Sequence, residues 1–238
     1  MIIDCHAHVF QNWHGLCGHE GQEVHWKYIQ KNVSRPSAKV RQARDGAPAD
    51  AKALFRAGDN SWAGLRSDVQ FRIGPYGRVE FTADGEDYYI QYMPVAMAQI
   101  EAPPELMLAH MGYVGVDHCV LQAGMSYGRM NDYNAFAQHQ YPDKFTGLFH
   151  VDEPKADLPR WLGEVERSVQ RLGLRGIYYQ LDGFARYGFD SSFEDRRFDR
   201  FWEALASLRL PVFYPCVELD RIGLYRGFAI RRLLIGFR

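Results

Sequence analysis

The chain has 238 residues, 47% hydrophobic and 24% charged, with 28 Lys and Arg against 29 Asp and Glu. That balance belongs to an ordinary globular protein and excludes a disordered or fibrous one. A net charge of −1 excludes the basic excess a nucleic-acid partner requires, and no apolar run approaches the roughly 20 residues that cross a membrane.

The N-terminus opens on an apolar strand, Ile-Ile-Asp-Cys, running into His-Ala-His. Residues 11–102 are polar and glycine-containing, and within them Phe71–Met93 reads as a β-hairpin around Ala-Asp-Gly-Glu-Asp. Alternating aromatic and β-branched residues either side of Asp-Gly give that signal. The stretch reads as an insertion within one domain of residues 1–238, its apolar residues being too sparse for a core of their own. From Pro103 a regular alternation begins. A helix starts at Pro-Pro-Glu with Leu106, Met107, His110 and Met111 on one face, and glycines end it. A strand at Val116–Gln122, a helix after Asn131 and a strand at Phe145–Val151 follow. Next come a helix capped by Asp157, a strand at Leu174–Leu181, a helix from Phe198 to Leu208 and the run Leu-Pro-Val-Phe-Tyr. Strand–helix alternation with short connections predicts an α/β fold with five parallel strands near Ile3, Val120, Leu148, Ile177 and Val212.

The sharpest chemical feature is Asp4-Cys5-His6-Ala7-His8. On a strand, positions i and i+2 point the same way. His6 and His8 therefore present paired imidazoles at the C-terminal end of the first strand, where parallel α/β folds bind ligands. Two neutral imidazoles suit zinc or a similar divalent ion. Asp4 is a candidate to orient one of them or to bond its own backbone. Gln122, His150 and Asp152, at the mouths after the second and third strands, are candidates for substrate contact. His14, Cys17, His19, Glu20, Glu23 and His25 form a polar loop whose spacing matches no zinc pattern. That loop reads as one overhanging the mouth. His110 reads as a core residue. The tail Arg221–Arg238, with five arginines and no acid, reads as a solvated amphipathic helix. The absence of a basic leader and the four cysteines, too few for a disulfide scaffold, suit a reduced cytoplasmic protein.

The opening Ile-Ile-Asp-Cys-His-Ala-His-Val-Phe resembles the amidohydrolase superfamily. The likeness is closest to the amidohydrolase-related branch that includes aminocarboxymuconate-semialdehyde decarboxylase, resorcylate-type decarboxylases and metal-dependent hydrolases. Gly115-Val-Asp-His-Cys-Val-Leu-Gln, Pro142-Asp-Lys-Phe-Thr-Gly-Leu-Phe-His-Val-Asp and Gly173-Leu-Arg-Gly-Ile-Tyr-Tyr are similar to its next three strands, in order. The segment from Phe198 to Tyr214 is similar to the helix and strand after them. The resemblance implies a (β/α)8 TIM-barrel fold, here with about five barrel strands and the hairpin insertion after strand one. It implies a divalent metal, zinc, on His6 and His8, with further ligands from strands five, six and eight. The strand-five position falls at Pro215, so Cys216 and Glu218 are the nearest substitutes, and all nine histidines lie at or before His150. The implied activity is hydrolysis of an amide-, lactone- or ester-like bond, or decarboxylation of a small carboxylated acid, acting on a small-molecule substrate. The alternative is a truncated or inactive relative serving as a binding or structural subunit. The hairpin's aromatic face is a candidate contact for a homo-oligomer. An open nucleotide-binding sheet is disfavoured because no glycine-rich phosphate loop follows any strand.

Overall fold

The computed structural model describes residues 1–34, 38–57, 59, 62–181, 184 and 193–214. Pro215, Cys216, Glu218 and the tail read as a helix lie outside the described residues. In chain order the regular elements begin with β1 (Ile3–Ala7), α1 (Gln22–Val33), β2 (Val40–Gln42) and β3 (Pro48–Ala49). They continue with β4 (Arg72–Ile73), β5 (Arg78–Ala83), β6 (Glu86–Gln91), α2 (Pro104–Val114), β7 (His118–Leu121) and α3 (Asn131–Gln140). The last are β8 (Phe145–Gly147), α4 (Pro159–Gln170), β9 (Ile177–Tyr178), α5 (Asp199–Ser207) and β10 (Val212–Phe213).

Two of these groups matter for the site. The first is a run of parallel strands joined by helices. β7 pairs with β1 on one side and with β8 on the other. A parallel bridge between Phe149 and Ile177 carries the pairing from β8 to β9, with the Phe149 amide on the Gly176 carbonyl at 2.9 Å. β9 pairs in turn with β10. The five parallel strands thus stand side by side in the order in which the chain makes them, each followed by a helix before the next strand. Cys119, Leu121 and Phe145 pack outward with Met111 of α2 and Ala137 of α3. Further along, Phe149, Ile177 and Tyr179 pack with Val165 of α4 and with Phe201 and Leu205 of α5. No helix among the described residues is long and apolar enough to cross a membrane.

The second group is an antiparallel sheet in the order β3-β2-β6-β5-β4, formed wholly from residues 40–91. Its hairpin turns at Asp84-Gly85, both with positive φ (54° and 81°), the pattern of a two-residue type I′ turn. A side chain on Gly85 would meet nothing within 4 Å, so Gly85→Ala reads the backbone preference alone. We expect it to cost about 1 kcal/mol in urea denaturation. Phe10 and Ala102 exchange two backbone hydrogen bonds of 2.9 Å each, which close the stretch at its neck.

Three expectations are corrected here. The apolar residues of 11–102 are not too sparse for a core: Trp13, Ile29, Leu54, Val69, Phe81 and Ile100 are buried together, with Ala123 and Met130 of the parallel unit in the same cluster. Short strands and 3₁₀ turns scatter these residues along the sequence, and only the closed sheet gathers them. His110 is not core either. It is exposed, because α2 turns Met107, Leu108 and Met111 toward β7. Asp157 does not cap α4, whose N-cap is Leu158.

Candidate active site

β1 carries an irregularity. Its parallel register with β7 shifts between Asp4, opposite Cys119, and Ala7, opposite Leu121. Bulges of this kind re-aim side chains at strand ends. The Asp4 carboxylate takes up the freed backbone, accepting the His6 amide at 2.9 Å. Just beyond, the rings of His6 and His8 meet edge to face with centroids 4.9 Å apart. His6 is exposed and His8 half-buried.

His8 is the better fixed of the two. Its Nδ1 lies 2.8 Å from the Gln122 carbonyl, an acceptor, so Nδ1 carries the proton and Nε2 keeps its lone pair. The ring stacks on Tyr127, centroids 4.6 Å apart and planes 19° from parallel. Burial holds its pKa below the ordinary histidine value, with the His6 charge pressing the same way and the Gln122 bond opposing. Gln122 is itself buried. Its amide donates to the Cys5 carbonyl and its backbone N–H to the Ala7 carbonyl, so it ties the ends of β1 and β7 together. Tyr178 of β9 stands edge-on to His6 at 5.9 Å. Burial also pushes the Tyr127 hydroxyl well above the usual phenol range, so it stays protonated.

His150 and Asp152 do not join this group. His150 is fully buried between the starts of α3 and α4. Its Nε2 accepts the Met130 amide at 3.2 Å, while Asn131 bonds its backbone N–H and C=O. Asp152, also buried, accepts Tyr28 at 3.0 Å and Lys155 at 2.6 Å. The loop after β1 lies against these residues. His19 and His25 are buried and stacked, centroids 5.3 Å apart, and His19 stacks on Tyr28 at 5.2 Å. Burial holds His19 at about 3, His25 at about 4 and His150 at about 4, all neutral near pH 7. Cys17 is buried with its thiol directed at the Asn12 carbonyl, and burial pushes it up to about 12. His14 and Glu20 are exposed, and Glu20 pairs with Arg129 and Arg160. The structure therefore gathers His6, His8 and Gln122 with Asp4 beside them, and sets His150 and Asp152 in a separate buried network.

Tyr127 and Tyr178 escaped the sequence reading. Tyr178 had a signal. In Gly-Ile-Tyr-Tyr the outward Tyr179 packs on Phe201 and Trp202, so its neighbour points the other way, toward the mouth. Tyr127 had none, because it lies in the irregular turn after β7.

Parallel strands flanked by helices, with a histidine pair at the C-terminal end of the first, define an α/β protein whose candidate metal site sits at the strand ends. A sequence profile described as amidohydrolase matches residues 3–226, and the chain belongs to that family. No protein of curated function matches it. Among solved structures it is similar to a probable 2-pyrone-4,6-dicarboxylic acid hydrolase from Acinetobacter baumannii, determined with citric acid bound. That pair shares 20% identity over 52% of this chain and 45% of that one, with a TM-score of 0.39. A 4-oxalomesaconate hydratase from Rhodopseudomonas palustris is 22% identical over 45% of this chain and 36% of its own, TM-score 0.37. A 5-carboxyvanillate decarboxylase from Novosphingobium aromaticivorans, determined with manganese, is 21% identical over 51% and 39%, TM-score 0.36. The chain thus matches less than half the length of each of these structures.

Proposed function

We propose that the protein is a metal-dependent enzyme of the amidohydrolase family acting on a small molecule. It hydrolyses an amide-, lactone- or ester-like bond, or decarboxylates a small carboxylated acid. His6 and His8 are its proposed ligands to a divalent ion, zinc. The observation that carries this is the tautomer of His8. The Gln122 carbonyl accepts a hydrogen bond from a protonated Nδ1, which leaves Nε2 with its lone pair on a ring 4.9 Å from that of His6. Metal-bound histidines are oriented in this way. Burial keeps His8 in the neutral form a metal requires.

The pair fits a metal as two of its donors. Among the described residues no group of three or more His, Cys, Asp or Glu side chains could hold an ion. Cys216 and Glu218, which follow β10 in the sequence, are the proposed further donors. Bound there, a divalent ion would supply Lewis acidity to a substrate oxygen. Asp4 sets the bulge that aims His6. Tyr127 covers one face of His8 and keeps water from it. Tyr178 bounds the His6 side. The five parallel strands are read as successive units of a (β/α)8 barrel within one domain, with residues 11–102 inserted after the first. The proposed location is cytoplasmic.

Metal analysis after dialysis against zinc or manganese tests the site. We expect roughly one equivalent in the wild type and less than about a tenth in His6→Ala/His8→Ala, both with an unchanged cooperative melt. Equal metal in the two proteins overturns the assignment.

A further inference from the structure

The turn after β7 carries a polar group with no structural task, the hydroxyl of Tyr127. Packing alone does not ask for it. A phenylalanine would stack on His8 equally well, and would meet Phe10 and Trp13, whose ring centroids lie 5.0 and 6.1 Å away, in the same manner. Tyrosine hydroxyls on packed rings ordinarily find a partner. Among the described residues this one makes no hydrogen bond, and its oxygen is not sealed from solvent.

The hydroxyl is placed by its ring, which lies flat on His8 with centroids 4.6 Å apart. Burial first, then the neighbouring Tyr92 and Tyr178 hydroxyls, keep it protonated. Tyr178 itself stands edge-on to His6 at 5.9 Å. The two tyrosines, one from the turn after β7 and one from β9, thus converge on the histidine pair from two sides. The turn is also fixed along its length. The Tyr127 amide donates to the Gly124 carbonyl at 2.9 Å, and the Arg129 amide to the Cys17 carbonyl at 2.8 Å. His25 Nε2 donates to the Ser126 carbonyl at 3.0 Å, and His150 Nε2 accepts the Met130 amide at 3.2 Å. A donor held in this way needs no reorganisation when an acceptor arrives.

We propose that Tyr127 is a substrate-binding and catalytic residue of the His6–His8 site, its hydroxyl donating a hydrogen bond to a substrate oxygen that bears or develops negative charge. This rests on the metal site proposed above. The hydroxyl selects an anionic oxygen over a sulfur of the same charge, because sulfur is a weak acceptor.

The probes are acetohydroxamate, an oxygen ligand, and ethanethiol, a sulfur ligand. Each is titrated calorimetrically against the zinc-loaded full chain, with bound zinc measured in parallel. Tyr127→Phe keeps the ring on His8. It should weaken acetohydroxamate by roughly tenfold or more, change ethanethiol by less than about twofold and leave zinc content unchanged. Tyr76→Phe, at an exposed tyrosine, should match the wild type with both probes. Unchanged acetohydroxamate affinity in zinc-loaded Tyr127→Phe, or no acetohydroxamate binding to the zinc-loaded wild type, overturns this proposal and leaves the metal site standing. Equal weakening of both probes, or loss of zinc from Tyr127→Phe alone, assigns Tyr127 to the shape of the ion site and overturns its role as donor. A wild type that binds no zinc overturns the metal site and this proposal with it.

Discussion

Between pH 6.5 and about 4 we expect the folded protein to lose several kcal/mol of stability, with three buried histidines accounting for most of that loss. His19, His25 and His150 sit at about 3, about 4 and about 4, against an ordinary value of 6.5. Burial is the first cause in each case, and His25, Arg129 and His150 add positive charge around His19. The sign follows from proton counting. Below pH 6.5 the unfolded chain protonates these rings while the folded one does not. The unfolded state then binds more protons, and stability falls as pH falls. The contribution is complete above 6.5 and is lost as pH falls through the folded values. Each ring contributes up to about 1.4 kcal/mol per pH unit within that window.

The groups facing the cluster do not reverse this trend. Glu164 and Asp152 favour a charged His150, and Arg129 opposes it. Arg167 holds the Asp132 and Glu164 carboxyls below their usual range, so they lose their ion pairs only at lower pH. Urea midpoints between pH 7 and 4 check the expectation. His150→Gln keeps an acceptor for the Met130 amide and should flatten the pH slope by about one proton. A slope equal to that of the wild type would sink the assignment. The consequence is architectural. His19 belongs to the loop after β1 and His25 to α1, whereas His150 belongs to the parallel unit, so acid should part those two layers first.

Much of this molecule could be read from the residues. The alternation from Pro103 to Tyr214 rests on strong periodic signals such as Trp161, Leu162 and Val165 in α4, or Phe201, Trp202 and Leu205 in α5. Every one of those helices and strands forms. The hairpin announced itself through Asp84-Gly85, where the backbone requires positive φ. The His-x-His pair was visible because two donors lie two residues apart. The separation of His150 and Asp152 from that pair was not visible. Both are at a strand end, as expected, but Asn131 and Met130 capture the backbone and ring of His150 from the start of α3. Such side-chain-to-backbone bonds span the fold and leave no periodic trace. The same holds for His19 and His25. Their spacing suggested a polar overhanging loop, whereas Tyr28, Trp13 and the Ser126 carbonyl enclose them. The bulge between Asp4 and Ala7 also defeats a strict two-residue alternation, since one displaced residue changes which way His6 points.

Gly128→Ala should cost about 2–4 kcal/mol and loosen the proposed metal site with it. Gly128 has φ of +113°, outside the range that side-chain-bearing residues tolerate. A Cβ there would lie 2.4 Å from the Cys17 carbonyl oxygen and 2.6 Å from the Cys17 Cβ. Neither can retreat freely. That carbonyl accepts the Arg129 amide at 2.8 Å, and Cys17 is packed in the core of the 11–102 stretch. The residue before Gly128 is Tyr127, whose ring lies on His8. A shift of the turn therefore moves the stack that shields His8 and favours its neutral form. Gly163→Ala, at a helical position in α4 where a Cβ meets nothing within 4 Å, is the matched control. It should stabilise the protein by up to about 1 kcal/mol and leave metal content unchanged. Urea denaturation together with metal content separates the two effects. A Gly128→Ala protein as stable as the wild type would show that the turn yields without strain. One that is destabilised yet keeps its full metal content would show that Tyr127 is not needed to hold His8 in place.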